Sequence, residues 1–247
     1  MVFDLHGVLA DSQKLLEFYD EEFIRILGKA DIEAARAVKI HREFLDWWIA
    51  EARKIYKDSS EQVIAEMFEL NGRYEQKMLA VISQHTGEDP QEYYQDIESR
   101  TFEFNAASRG NASYPEVKPA LDELQQSWPK LALHVASNAH TSHVRGTLTG
   151  ASLTGYFKQI LGYDRIGFQK RHPKYWSRLL QLISGTSDET IFVGDSAVEV
   201  QGCAQLGMPC IIVDRHNIFD ASSLGHKHFL IENLHQILEL LPRLEFD

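Results

Sequence analysis

The chain opens on a short apolar run, Met1-Val2-Phe3-Asp4-Leu5, that meets a carboxylate and then Gly7. A run this short, bounded by glycine, predicts a buried strand feeding a tight turn. The pattern then changes. From Gln13 to Asn105 apolar positions recur at helical spacing, with few Gly or Pro to interrupt them. Within residues 31–57, Val38, Leu45, Trp48, Ala52 and Ile55 fall on one face, and Glu, Lys and Arg fill the other. Asn71-Gly72 and Thr86-Gly87-Glu88-Asp89-Pro90 predict breaks between separate helices. The whole stretch reads as a helical bundle.

After Arg109-Gly110-Asn111 the pattern alternates. A helix is predicted over Pro115–Gln126, a strand over Leu131–Ser137, a helix near Ser142–Leu148 and a strand near Gln159–Gly162. Pro173–Ile183 is helical, Thr190–Gly194 extended, Val198–Leu206 helical and Pro209–Val213 extended. A last strand, His228–Ile231, precedes a C-terminal helix. Strands alternating with helices predict an α/β fold around a mainly parallel sheet covered on both faces. The first strand shares the character of that sheet. The helical block over 13–109 is therefore inserted into a discontinuous core made of 1–12 and 110–247. No internal repeat or low-complexity segment occurs.

Composition narrows the picture. The 247 residues suit one large domain or two small ones, and 44% apolar with 25% charged residues is ordinary for a globular chain with a sizeable core. The net charge of −11 argues against nonspecific binding to nucleic acid or anionic membranes, which needs basic patches. A small anionic ligand is still compatible, since a local cluster of donors can outweigh the background. No apolar run approaches the ~18–20 residues of a membrane span, and no signal-peptide pattern opens the chain. Cys203 and Cys210, both in apolar surroundings, read as small buried hydrophobes in a reducing compartment, which makes the cytoplasm the expected location. Oligomeric state leaves no mark on the sequence.

In open parallel sheets, ligands bind beyond the carboxyl ends of the strands. Four polar segments sit there: Asp4-Leu5-His6-Gly7-Val8-Leu9-Ala10-Asp11-Ser12, Ser137-Asn138, Lys170-Arg171-His172-Pro173 and Asp195-Ser196-Ala197-Val198-Glu199. Each has a plainer reading. Asp4 alone is a turn-capping carboxylate, Ser137 a helix N-cap, Lys170 a surface lysine with Lys174 as its competitor, and Glu199 a first-turn helix acid. His140 and His143, three apart on a predicted helix, form either a metal pair or a solvated face, the latter being the expectation. Trp47-Trp48 reads as packing inside the helical block or against the core.

In order and spacing, these four segments resemble the four motifs of the haloacid dehalogenase-like hydrolases. Tyr114-Pro115-Glu116-Val117 and Leu153-Thr154-Gly155-Tyr156-Phe157 resemble the flanks of the second motif in the phosphoglycolate phosphatase-like branch. The resemblance implies a Rossmann-like, doubly wound fold with an all-helical cap where the inserted block lies, and an Mg²⁺-dependent phosphatase acting on a small phosphorylated metabolite. It implies Asp4 as nucleophile, forming an aspartyl-phosphate that water hydrolyses. Asp4, Asp195 and the backbone carbonyl of His6 would hold Mg²⁺, with Glu199 binding directly or through water. Ser137, Asn138 and the backbone after them would bind phosphate, and Lys170 would neutralise Asp4 and a phosphate oxygen.

One departure stands out. Family phosphatases carry an acid/base Asp two positions after the nucleophile, where this chain has His6. An imidazole can still shuttle the proton, since its unperturbed pKa lies near 6.5. The exchange also fits a catalytically weak phosphate-binding or regulatory module, or a phosphonate-cleaving relative that uses a cap lysine. Lys29, Lys39, Lys54 and Lys57 are the cap lysines available. His6 as an ordinary turn residue is equally open. The Asp195–Glu199 acids argue against the metal-free dehalogenases. A cap over 13–109 would close on the site, hinged near Ala10–Ser12 and Gly110–Ser113, with His41, Arg42, Arg53 and Lys57 as candidate anion contacts.

Overall fold

In a computed structural model of the chain, residues 1–29, 31–56, 62–86, 100–220 and 227–243 are described. Six strands form one sheet: β1 (Val2–Phe3), β2 (His134–Ala136), β3 (Gln159–Leu161), β4 (Phe192–Gly194), β5 (Cys210–Val213) and β6 (His228–Ile231). Their order is β3-β2-β1-β4-β5-β6, and every pair is parallel. Order reverses at β1, between β2 and β4. That is the switch point, where a parallel sheet opens a crevice at its carboxyl edge.

Alternate residues along the strands serve opposite faces, as pleating demands. Phe3, Val135, Val193 and Ile211 enter one core cluster, with helices α5 (Val117–Ser127) and α6 (Thr141–Gly150). Val2, Ala136, Phe192 and Ile212 enter another, with Ile166 of α7 (Tyr163–Ile166) and Tyr175, Trp176 and Leu179 of α8 (Pro173–Ile183). Both faces are thus covered. The apolar strands of the sequence are buried on two sides, so they show runs of hydrophobics rather than alternation.

Between β1 and β2 the chain leaves the sheet for helices α1 (Ser12–Gly28), α2 (Ala34–Ile55), α3 (Val63–Thr86) and α4 (Thr101–Ala107). Phe23, Ile26, Leu27, Ala37, Met78, Ile82 and Phe102 form one apolar cluster among them, and Ala52, Ile55, Val63, Met67 and Leu70 another. On α2 the predicted face holds in part. Ala52 and Ile55 are buried, whereas Val38, Leu45 and Trp48 are half-buried along a margin.

The predicted break at Asn71-Gly72 is wrong, because α3 runs straight through it. Glycine in a helix interior costs about 1 kcal/mol against alanine. The burial of Met67, Leu70, Met78 and Ile82 on the same helix, at about 1.5–3 kcal/mol each, outweighs that cost. Asn71 is held by its side chain. Its Oδ1 accepts from Trp48 Nε1 at 3.0 Å and its Nδ2 donates to the Tyr163 hydroxyl at 2.8 Å. The other predicted break, at Gly87–Pro90, lies outside the described residues. Exit and return of the inserted helices are stitched together: Ala10 bridges Ser113, and Asp11 N donates to Ala112 O at 2.8 Å.

Candidate active site

Asp4 stands just beyond β1, its amide donating to Val193 O at 2.8 Å. Its Oδ1 accepts from Leu5 N at 2.7 Å. The backbone then turns at Gly7, whose φ of +73° favours glycine. A Cβ there would also come within 1.8 Å of Asp195 Oδ2. Gly7 is therefore what allows the loop after β1 to touch the loop after β4. Arg215, to which sequence reasoning gave no part, locks the same turn. Its Nε and Nη2 donate to the carbonyls of Gly7 and Val8 at 2.9 and 3.0 Å, while its Nη1 pairs with Glu116 at 2.6 Å.

Lys170 is 4% exposed, and its ammonium lies 2.7 Å from both Asp4 Oδ2 and Glu199 Oε1. The segment carrying it is pinned from two sides. Asn138 Oδ1 accepts from Lys170 N at 2.9 Å, and Trp176 Nε1 donates to Lys170 O at 3.0 Å. Lys174, its competitor in the sequence, is exposed on α8. Glu199 opens α9 (Ala197–Gln205) in a capping box, its Oε2 accepting from Ser196 N at 2.7 Å and from Ser196 Oγ at 2.5 Å. Both its oxygens are engaged. The alternatives of helix acid and site residue are thus not exclusive.

Burial raises Asp4 to about 7 against the pull of the Lys170 charge, with Glu199 and Asp195 adding repulsion. Asp195 is raised to about 6 by burial and by Glu199. Burial works against the Lys170 ammonium, yet the Asp4 and Glu199 carboxylates hold its pKa above the ordinary lysine value. Asp4, Asp195 and Glu199 each bring a carboxylate oxygen within 4.8 Å of the others. Three hard oxygens this close, with one ammonium among them, lack positive charge. The donor set fits a divalent cation such as Mg²⁺.

The cluster faces a cavity of about 510 Å³ that Ser137, Asn138, Gln169 and Trp48 also line. Ser137 is 1% exposed, and its Oγ accepts from Ala139 N at 3.2 Å. Six of the predicted site residues therefore converge here: Asp4, Ser137, Asn138, Lys170, Asp195 and Glu199. His6 reaches the same wall but looks elsewhere. Its Nδ1 lies 3.1 Å from Ser12 Oγ, and its Nε2 lies 3.1 Å from His143 Nε2. His143 Nδ1 in turn lies 2.6 Å from the Tyr19 hydroxyl. Burial, reinforced by the Lys170 charge, lowers His6 to about 4; burial and His6 lower His143 to about 3. Both rings are neutral near pH 7.

Two expectations need correction. His143 is no solvated residue but the partner of His6, and His140 caps α6 by accepting from Ser142 N. Among the candidate anion contacts, His41 is 2% exposed and turned 2.5 Å toward Asp20, which also takes Arg42. Asp20 lies within α1, and nothing in its spacing marked it. Arg53 is exposed on α2, and Lys57 lies outside the described residues. No helix among the described residues is long and apolar enough to cross a membrane, and Cys203 and Cys210 are buried free thiols.

Comparison with known proteins gives this geometry a context. The family model for haloacid dehalogenase-like hydrolases matches residues 1–207. The phosphoglycolate phosphatase of Yersinia pestis is 28% identical over 131 residues, which are 53% of this chain and 56% of that protein. The chain thus spans about half the length of that relative, 56%. Pyrimidine 5'-nucleotidase PynA of Streptococcus pneumoniae is 24% identical over 220 residues, covering 88% of this chain and 84% of that protein. Among solved structures, the L-2-haloacid dehalogenase of Xanthobacter autotrophicus superposes with a TM-score of 0.63 at 17% identity, covering 99% of this chain and 98% of its own. The 2-haloacid dehalogenase of Pseudomonas syringae pv. Tomato DC3000 gives 0.65 at 21%, covering 98% and 97%. At such identities the likeness is one of fold.

Proposed function

The chain belongs to the haloacid dehalogenase-like hydrolases, and from that premise we propose that it is an Mg²⁺-dependent phosphatase. Its substrate is a small phosphorylated metabolite, cleaved through an aspartyl-phosphate on Asp4. One observation carries the reading: Asp4, paired with Lys170, shares the mouth of a 510 Å³ cavity with Asp195.

Asp4 and Asp195 would hold the cation, with the His6 carbonyl as a further oxygen ligand; it would supply the charge that lets a carboxylate approach a phosphate dianion. Glu199 has both oxygens engaged, so its part is to hold Lys170 and the start of α9 rather than to bind metal directly. A carboxylate oxygen of Asp4 attacks phosphorus in line, the ester P–O bond breaks, and the alcohol leaves with a proton drawn from water. Water then attacks the phospho-aspartate, freeing inorganic phosphate and regenerating Asp4. Lys170 favours the ionised form of Asp4 and faces the phosphate oxygens, while Ser137 and the backbone amides after it donate to them. His6, neutral and held at its two ring nitrogens by Ser12 and His143, is not suited to give a proton to the leaving group. Residues 13–109 act as the cap, and two buried thiols accord with a reducing cytoplasm.

A panel of phosphate esters with and without Mg²⁺ tests this. Turnover that needs the cation and disappears in Asp4→Asn supports it. Activity that arises only in His6→Asp favours the rival, a catalytically weak phosphate-binding module. The phosphonate-cleaving alternative gains nothing here, since Lys29, Lys39 and Lys54 are exposed and none lines a described cavity.

A further inference from the structure

A second cavity, of about 380 Å³, adjoins the first. The two share His6, Trp48, Tyr56, Asn138 and Ala139 as walls, so a molecule anchored by phosphate at Asp4 has its remainder aimed into the second space. On its far side lie rings and aliphatic chains, including Tyr19, Leu45, Met67, Tyr74 and Phe102.

Charge decides what this space accepts. The guanidinium of Arg100 lies 3.1 Å from both Glu75 and Glu103, so one cation is matched by two carboxylates. Glu103 also accepts from Ser142 Oγ at 2.9 Å. His41, on the same wall, is turned to Asp20, and burial lowers its pKa, so it stays neutral near pH 7. Of the other lining histidines, His6 and His143 face each other and His140 lies 3.6 Å from Glu103 and 3.7 Å from Asp164, so among the described lining residues each basic group already has a partner. A carboxylate entering here would lose its water, meet rings, and find the lining guanidinium already paired with carboxylates.

Size points the same way. At about 30 Å³ of liquid volume per water, the 380 Å³ cavity holds roughly a dozen waters' worth of space. A two-carbon acid would leave most of it wet. The volume falls in the range of about 300–1,000 Å³ typical of sites that enclose a whole organic ligand.

We infer that the alcohol half of the substrate is an uncharged, ring-bearing group seated in this second cavity, and that esters ending in a small carboxylate are excluded. The inference rests on the phosphatase reading for its anchor, and the closing experiment separates the two. Benzyl phosphate and 2-phosphoglycolate are both esters of primary alcohols, so they compare pocket fit more than leaving group. The expected result is that kcat/KM for benzyl phosphate exceeds that for 2-phosphoglycolate by at least about tenfold. Leu45→Trp, which fills the cavity from a half-buried position, lowers kcat/KM for benzyl phosphate at least about tenfold more than for acetyl phosphate. Glu103→Gln, which leaves Arg100 one carboxylate fewer, narrows the gap in favour of 2-phosphoglycolate. Equal turnover of the two esters, or a preference for 2-phosphoglycolate, overturns the inference and leaves the phosphatase reading standing. If neither ester nor acetyl phosphate, an acyl phosphate, is turned over at all, that reading fails instead. Calorimetry with thymidine and with glycolate then decides the cavity: heat with thymidine alone upholds it, and heat with glycolate alone, or with neither, overturns it.

Discussion

The strand-end cluster and the ring-lined cavity touch at His6 and Trp48, yet they are built by opposite means. In the cluster, every working side chain follows a strand end or opens a helix, and parallel pairing brings those ends together whatever lies between them. In the cavity, the walls come from α1, α2, α3 and α4 and from the helices after β2 and β3, no one of which supplies more than a few of the residues. The lesson is that a sheet gathers chemistry by topology, whereas a helical insertion gathers it by packing angle. The first should be intolerant of change and indifferent to the substrate's identity; the second should be tolerant and discriminating.

The largest effect expected to test that division is on rate. Asp4→Asn should lower turnover of every ester by at least about a thousandfold, because a nucleophile acting in a unit cannot be partly replaced. If any ester keeps wild-type turnover in steady-state assays, the cluster is not the common engine. Next comes stability. Lys170→Met leaves Asp4 and Glu199 buried without their shared counter-charge, and removal of one partner from a buried ion pair costs about 3–5 kcal/mol. Urea unfolding of the metal-free protein measures it.

A smaller effect concerns pH. Asp195 is raised to about 6 from an ordinary 3.8, so the folded metal-free state holds a proton that the unfolded chain has released. Its contribution to stability is intact below about pH 4 and declines as pH rises through about 6. Asp195→Asn should therefore melt higher than wild type at pH 8 without metal, with the advantage vanishing near pH 4. Added Mg²⁺ should reverse the order at pH 8. A melting difference independent of pH would show that this carboxylate carries no unfavourable charge. The smallest effect lies in the insertion. Gly72→Ala should stabilise the protein by up to about 1 kcal/mol, since an added Cβ meets nothing within 4 Å. Destabilisation in the same unfolding assay would mean that α3 does break there.

The same contrast explains what could be read from the chain. Asp4, Ser137 and Asp195 stand out because each ends an apolar run, and Lys170 because Lys170-Arg171-His172-Pro173 opens a helix; order along a parallel sheet fixes which strand ends meet. Arg215 was invisible, for it works through carbonyls of Gly7 and Val8 that have no sequence signature. His143 was legible as a helix residue but not as the partner of His6, since that contact depends on how far α6 leans toward the first loop. His41 and Arg42 looked available for anions until Asp20 took both. The Asn71-Gly72 pair illustrates a local signal overruled by apolar neighbours a turn away on either side.

The paired segments at Ala10 and Ser113 carry one last implication. Chain leaves and re-enters the sheet through doorways about 5 Å apart, the spacing of directly opposed antiparallel residues. Nearly a hundred residues are thus spliced in at a point where a short turn would close the gap at little entropic cost. A different insert with neighbouring ends could be grafted at the same seam while the carboxylates beneath stay where they are, giving one engine interchangeable mouths.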